Sequence, residues 1–234
     1  RCARPHAAAP GSSRPPPRTV PLVGRASAPR MRSSVVLPEP FGPSSARNSP
    51  RGTVRVGGWE LPGEAEFVRA QLGVVSHLPL LYDTLTAEEN LLFFARIYNL
   101  PRETRRERVD TALRRVGLAR RARDVVATYS RGMQQRLAIA RAILHDPAVL
   151  LLDEPYTGLD QDAAALLDEL LHEVAIGGRT VIMTTHDLRR GHALADRIAI
   201  LSRGKIAFDA PCREVDPDAL PALYADTTGA ATTR

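Results

Sequence analysis

Residues 148–160 read AVLLLDEPYTGLD, a continuous apolar run that ends in two adjacent carboxylates, a proline and a glycine-containing turn. An apolar run of this length, closed by charge, is the pattern of a strand buried on both faces of a parallel sheet. Asp153 and Glu154 then stand at its carboxyl end, the side on which open parallel sheets place their ligand crevices. Downstream, ALLDELLHEVA (165–175) has helical spacing and stops at Gly177-Gly178, RTVIMTTH (179–186) reads as a second buried strand, and DRIAILSRGKIAF (196–208) reads as a hairpin around Arg203-Gly204. Upstream, helices are expected over 103–116, ended by Gly117, and over 130–145. LTAEENLLFFARIYNLP (85–101) predicts a helix of about 13 residues, N-capped by Thr86, with Leu91, Phe94, Ile97 and Tyr98 on one core-facing side. LGVVSH (72–77) predicts a short buried strand, and TVRVGGWEL (53–61) a strand entering a Gly-Gly turn. Strands alternating with helices give an α/β, doubly wound sheet, interrupted between about 80 and 145 by a helical insertion.

The charge is unevenly spread. Of the 234 residues, the first 52 carry nine arginines against one acid, Glu39, which leaves 23 basic and 25 acidic groups for the rest. The overall +6 therefore belongs to the N-terminal stretch, and the remaining chain has no basic footprint for nucleic acid. The stretch itself has arginine without interleaved aromatics, so it lacks the stacking platform of a single-strand binder. It also holds 11 of the 19 prolines and no regular periodicity, the composition of a disordered arm. Its proline density argues against the amphipathic helix of an organellar transit peptide. Cys2 and Cys212 lie at opposite ends with no CxxC or Cys/His spacing, so neither a zinc site nor a disulfide framework is suggested. The apolar runs fall well short of the roughly 20 residues that span a bilayer, so a membrane location would have to be conferred by a partner.

Two adjacent carboxylates at a strand end can divide a task. Asp153 would hold Mg²⁺ directly or through water, and Glu154 would take a proton from a water attacking the γ-phosphate of a nucleotide. The neighbours give this reading its context. TYSRGMQQRLAIARAIL (128–144) precedes the strand, TGLD (157–160) follows it, and His186 ends the next strand 32 residues after Glu154.

This order resembles the nucleotide-binding subunits of ABC transporters, with Ser130 to Arg136 similar to their signature motif, VLLLDEP to Walker B, Thr157 to Asp160 to the D-loop and TTHD to the switch histidine. The resemblance covers about residues 53–205 and implies a P-loop NTPase-like fold with a helical signature subdomain, leaving 206–234 as a tail. It implies ATP and Mg²⁺ as cofactors, Glu154 and His186 as the catalytic pair, and His77 at the Q-loop position that contacts metal and water. It further implies that Ser130, Arg131, Gly132, Met133 and Asp160 bind nucleotide held by a second ATPase subunit in a head-to-tail dimer. A helix start with a serine hydroxyl and free amides is a ready anion site, in keeping with that role. Arg131 stands where the usual pattern has a second glycine, and Met133 where glutamine is commonest. The remaining expected partners are integral-membrane permease subunits, docked by the helix at 88–100 and the loop before it, which would hold the subunit at the cytoplasmic face of the cell membrane. VGGWELPGEAEFVRAQLGVVSHLPLLYDTLTAEENLLFFARIY, YSRGMQQRLAIARA and MTTHDLRRG are most similar to the haem-exporter ATPases of cytochrome c maturation. A truncated, non-catalytic domain that only docks or pairs with an intact subunit is the alternative.

The phosphate loop expected before such a site is missing its chemistry. Over a GPxGxGKT pattern, FGPSSARNS (41–49) keeps Gly42 and Pro43, puts Ser45 and Arg47 at glycine positions and Asn48 at the lysine position. Lost glycines hinder the backbone from closing around phosphates, and Asn48 brings no charge. SVVLPEP (34–40) carries two prolines, which argues against a central strand. Only Ser49, Pro50 and Arg51 separate Asn48 from Gly52, too few for the helix that should follow. The expectation is therefore that the N-terminal strand-loop-helix unit is absent. Residues 1–52, which start at Arg1 with the first methionine at Met31, would come from a shifted frame or misplaced start.

Overall fold

A computed structural model describes residues 33–37, 54–56 and 58–229. In chain order the elements are β1 (Ser33–Leu37), β2 (Val54–Val56), β3 (Trp59–Leu61), α1 (Ala65–Ala70), β4 (Leu72–Val75), α2 (Ala87–Ile97), α3 (Arg105–Arg115) and α4 (Arg131–Ile143). There follow β5 (Val149–Asp153), α5 (Gln161–Ile176), β6 (Thr180–Thr184), α6 (Leu188–Leu194), β7 (Arg197–Ser202), β8 (Lys205–Pro211) and α7 (Leu220–Thr228). Six strands form one sheet in the order β4-β5-β6-β1-β7-β8, all parallel except β8, which returns antiparallel to β7 across Arg203 and Gly204, both at positive φ. The pair β2–β3 forms a separate antiparallel ribbon, against which α1 packs.

β1 overturns the expected absence of the first strand. It sits in the middle of the sheet, parallel to β6 on one side and β7 on the other, with Val35 opposite both Met183 and Ile198. Pro38 and Pro40 follow the last ladder residue, Leu37, so neither has to donate to the sheet, and the proline argument against a central strand fails. The loop and helix expected after this strand, and the arm before it, lie outside the described residues.

The helical insertion follows its sequence signals with two adjustments. Thr86 caps α2 in a reciprocal box: its hydroxyl accepts from the Glu89 amide while the Glu89 carboxylate accepts from the Thr86 amide at 2.9 Å. Leu91 is fully buried, and Phe94 and Tyr98 pack partly on the core. Ile97 is 53% exposed, because the inward face runs through Ala87, Asn90, Leu91 and Ala95 and turns Ile97 away. The buried Asn90 bonds both the amide and the carbonyl of Tyr82, which pins the loop leading into the helix. α4 is the central helix. Leu137, Ala138 and Ala140 are fully buried, each leucine of this kind being worth about 1.5–3 kcal/mol of burial.

The expected tail at 206–234 is corrected in part. β8 runs to Pro211, Leu220 of α7 is fully buried, and the His192 ring on α6 lies 3.1 Å from the Cys212 carbonyl and 2.8 Å from that of Val215. The C-terminal segment is thus part of the same core. No helix among the described residues is long and apolar enough to cross a membrane.

Candidate functional site at the carboxyl ends of β5 and β6

The parallel register brings Asp153, the last residue of β5, level with Thr184, the last of β6. Thr184 holds two neighbours at once. Its hydroxyl donates to Asp153 Oδ1 at 2.6 Å and accepts from the Glu154 amide at 3.3 Å, while its carbonyl accepts the same amide at 3.1 Å. Glu154 turns out of the strand at φ 48°, a left-handed conformation that costs a non-glycine residue about 1–2 kcal/mol. That turn brings Glu154 Oε2 within 2.8 Å of His186 Nδ1. His186 is otherwise exposed, whereas Glu154 is largely covered. With the carboxylate ionised, the imidazole donates through Nδ1 and keeps Nε2 for a further partner.

A cavity of about 370 Å³ opens beside this pair, and His77, Leu78, Pro79, Arg131, Asp153 and Glu154 are among its lining residues. Residues from the β4–α2 loop, the start of α4 and the end of β5 therefore converge, although up to 77 positions separate them in sequence. The other residues singled out from the sequence play visible local parts. The Ser130 hydroxyl caps α4 by accepting the Met133 amide at 3.3 Å, and Asp160 Oδ1 caps α5 by accepting the Ala163 amide at 2.8 Å. Asp160 thereby starts α5 four residues earlier than the apolar periodicity suggested. Gly132 faces the Gly158 carbonyl so closely that a Cβ there would lie 2.9 Å from its oxygen, and Gly158 itself adopts φ +79° under the Arg131 side chain.

Thr184 and Gln135 fall inside the TTHD and signature stretches, but the sequence assigns neither of them a part in the site. The buried Gln135 donates to the Pro155 carbonyl at 3.2 Å and fixes the residue after Glu154. A helical glutamine is a visible signal only when its target carbonyl is known, and the role of Thr184 depends on a register no local pattern states.

The donor set meets the needs of Mg²⁺ in part. This hard cation is ordinarily held by one or two carboxylates together with phosphate and water oxygens, which fits Asp153, whose Oδ1 alone is engaged by Thr184. The His77 imidazole is not the oxygen donor that Mg²⁺ prefers, so its contact would run through water. Among the described residues no group of three or more His, Cys, Asp or Glu gathers to hold a metal unaided. The loop pattern at 42–49 that would wrap nucleotide phosphates lies outside the described residues.

Comparisons with known proteins identify the fold. The fold is that of the P-loop ABC ATPases: a solved ATP-binding subunit of an ABC transporter superposes with TM-score 0.73 at 26% identity, over 85% of this chain and 89% of that one. A dimeric ATP-binding cassette in a post-hydrolysis state with ADP and Pi superposes with TM-score 0.63 at 26% identity, over 78% and 86%. Residues 44–157 match the family model described as ABC transporter, and the chain carries an ABC transporter ATP-binding domain. That match begins ahead of the boundary placed at Gly52. Similar curated proteins include the linearmycin resistance ATP-binding protein LnrL of Bacillus subtilis, 36% identical over 66% of this chain and 50% of its own length. The Nod factor export ATP-binding protein I of Ralstonia nicotianae is 36% identical over 74% of this chain and 57% of its own. The chain thus spans about half the length of the curated relatives it matches.

Proposed function

We propose that this chain binds and hydrolyses ATP to drive an exporter, with Glu154 as general base and His186 as the residue that positions the attacking water. The observation that carries the reading is the Glu154–His186 pair at 2.8 Å beside Asp153, at the carboxyl ends of adjacent parallel strands. Mg²⁺, when bound, would neutralise charge on the β- and γ-phosphates. Asp153 supplies its carboxylate anchor, and Thr184 holds that carboxylate in place. Glu154 accepts the proton of the water, and His186 releases Nδ1–H from Glu154 as Nε2 reaches the γ-phosphate. His77, which also lines the cavity, contributes a water-mediated contact.

The remaining site residues would serve a dimer, which the dimeric structural neighbour supports, with the head-to-tail arrangement resting on the sequence resemblance. Ser130, Arg131 and Gly132 open α4 and would present backbone amides and a guanidinium to nucleotide on a second subunit, with Met133 and Asp160, whose amide and carboxylate respectively serve the helix caps, assigned there by the sequence resemblance. Leu78, Leu80, Tyr82 and Ile97 are exposed on α2 and the loop before it, the surface on which a membrane permease would dock. Such docking would place the subunit on the cytoplasmic face of the membrane. Export accords with the names of the Nod factor relatives; haem is a finer reading that rests on the sequence resemblance of residues 56–98, 129–142 and 183–191.

Glu154→Gln tests the base assignment. Turnover should fall by about 10²–10⁴-fold with nucleotide binding retained, and unchanged hydrolysis would refute the role of Glu154. Asn48 at the lysine position favours a second reading, a non-catalytic domain that docks or pairs with an intact subunit. Absence of ATP binding by the full chain selects it.

A further inference from the structure

Tyr156 lies two residues beyond Glu154, and Arg190 four residues beyond His186. Their side chains meet on a third element. The Tyr156 hydroxyl donates to Asp168 Oδ1 of α5 at 2.6 Å, Arg190 Nη2 lies 3.4 Å from Asp168 Oδ2, and the Arg190 guanidinium carbon sits 4.5 Å from the centre of the Tyr156 ring. A hydrogen bond, an ion pair and a cation–π contact thus close a triangle between the turn after β5, helix α5 and helix α6. Burial pushes the Tyr156 phenol far above its ordinary pKa and Asp168 adds to the shift, so the hydroxyl remains a donor throughout the physiological range.

Both ends of the triangle are continuous with the reactive pair. On one side the Pro155 carbonyl, immediately before Tyr156, is fixed by Gln135, and the Thr157 amide donates to the Glu154 carbonyl at 3.1 Å. On the other, Asp187 follows His186 directly and caps α6 by accepting the Arg190 amide at 3.0 Å. The pair itself is poorly restrained. The His186 side chain is 80% exposed, so its single contact with Glu154 is open to solvent and contributes only about 1 kcal/mol, too little to hold two turns in register.

We propose that Tyr156, Asp168 and Arg190 are positioning residues that lock the β6–α6 turn against the β5–α5 turn and thereby set the distance between Glu154 and His186. This deepens the reading of that pair as base and water-positioning group, and rests on it for its catalytic meaning.

Hydrogen–deuterium exchange on the full chain without nucleotide tests the clamp independently of hydrolysis. Tyr156→Phe keeps the ring and its stacking on Arg190 but deletes the hydroxyl. Amides of 184–191 should then exchange about tenfold faster, the equivalent of one hydrogen bond to a charged group. Asp168→Asn keeps an oxygen for the phenol but loses the charge that pairs with Arg190, and should fall between the parent and Tyr156→Phe, whereas Asp168→Ala, which removes both contacts, should exchange at least as fast as Tyr156→Phe. Where turnover is measurable, Tyr156→Phe should lower kcat and leave KM for ATP unchanged. Parental exchange over 184–191 in both Tyr156→Phe and Asp168→Ala overturns the proposal, whatever happens to the melting temperature. A parent chain without turnover refutes the hydrolytic reading of the site, and the exchange result still decides the clamp.

Discussion

Replacing Arg141 with methionine is a demanding test of how the loop beside the cavity is held. Arg141 is 5% exposed in the last turn of α4, where its Nη1 donates to the Leu80 carbonyl at 2.8 Å and its Nη2 to the Val74 carbonyl at 2.9 Å. Its guanidinium carbon lies 5.1 Å from the centre of the Phe94 ring. β4 is an edge strand, so the Val74 carbonyl points away from the sheet ladder and Arg141 covers it. Leu80 adopts φ 51°, and the same side chain holds that strained residue. Two charge-assisted hydrogen bonds contribute about 1.5–3 kcal/mol each and the cation–π contact about 0.5–2 kcal/mol. Against this stands the cost of a buried charge, seen in the Arg141 pKa, which burial lowers, and in its Nε, which has no hydrogen-bond partner. Methionine fills most of the volume, so the net loss should be about 2–4 kcal/mol, or roughly 10 °C in a domain of this size. Urea unfolding by linear extrapolation measures it, with exchange at residues 76–82 as the local readout. Arg141→Lys, which can reach only one of the two carbonyls, should lose about half as much. A change below about 0.5 kcal/mol in Arg141→Met, with protection at 76–82 unaltered, would refute this account of the loop.

Gly73→Ala should destabilise by about 1–3 kcal/mol or more, because a Cβ would run into the Ala142 carbonyl and lie 2.5 Å from Leu150 Cδ2 and 2.8 Å from Pro147 Cγ; the urea midpoint reads this directly. His145 predicts an acid-sensitive step. Burial lowers its pKa below the ordinary 6.5, since its Nδ1 is buried without a hydrogen-bond partner and protonation would leave a second N–H unsatisfied. The folded state therefore binds this proton less readily than the unfolded chain. Stability from the neutral ring is complete above about pH 6.5 and is lost as pH falls below it, and His145→Gln should flatten stability against pH between about 7.5 and 5.

The carboxylate-bearing strand, the Thr86 cap and the end of α3 are legible in the sequence because each is written in a local pattern. VLLLD is apolar on both faces, Thr86 and Glu89 sit at capping-box spacing, and Gly117 ends α3 at φ +68°. The short helix α1 and the C-terminal helix α7 carry weaker signals; α1 has only six residues, and the course of α7 follows its docking by Leu220. β1 was misread for an instructive reason. Prolines at 38 and 40 were weighed as interruptions of a strand, but a strand that ends at Leu37 has no donor to lose at either of them, and the extent of its ladder is set by β6 and β7.

Local sequence marks the candidates for chemistry: two carboxylates at a strand end, a histidine after the next strand, a serine at a helix start. Their patterns are short-range, so a strand or helix start declares itself within a few residues. Only the tertiary structure decided that Thr184 faces Asp153, that Glu154 bends back to His186, that Asp160 and Ser130 spend their side chains on caps, and that Tyr156, Asp168 and Arg190 form a closed triangle. Those relations depend on strand register and on helices packing across dozens of residues, and the free energy that selects them comes from burying the whole core rather than from any pair of side chains.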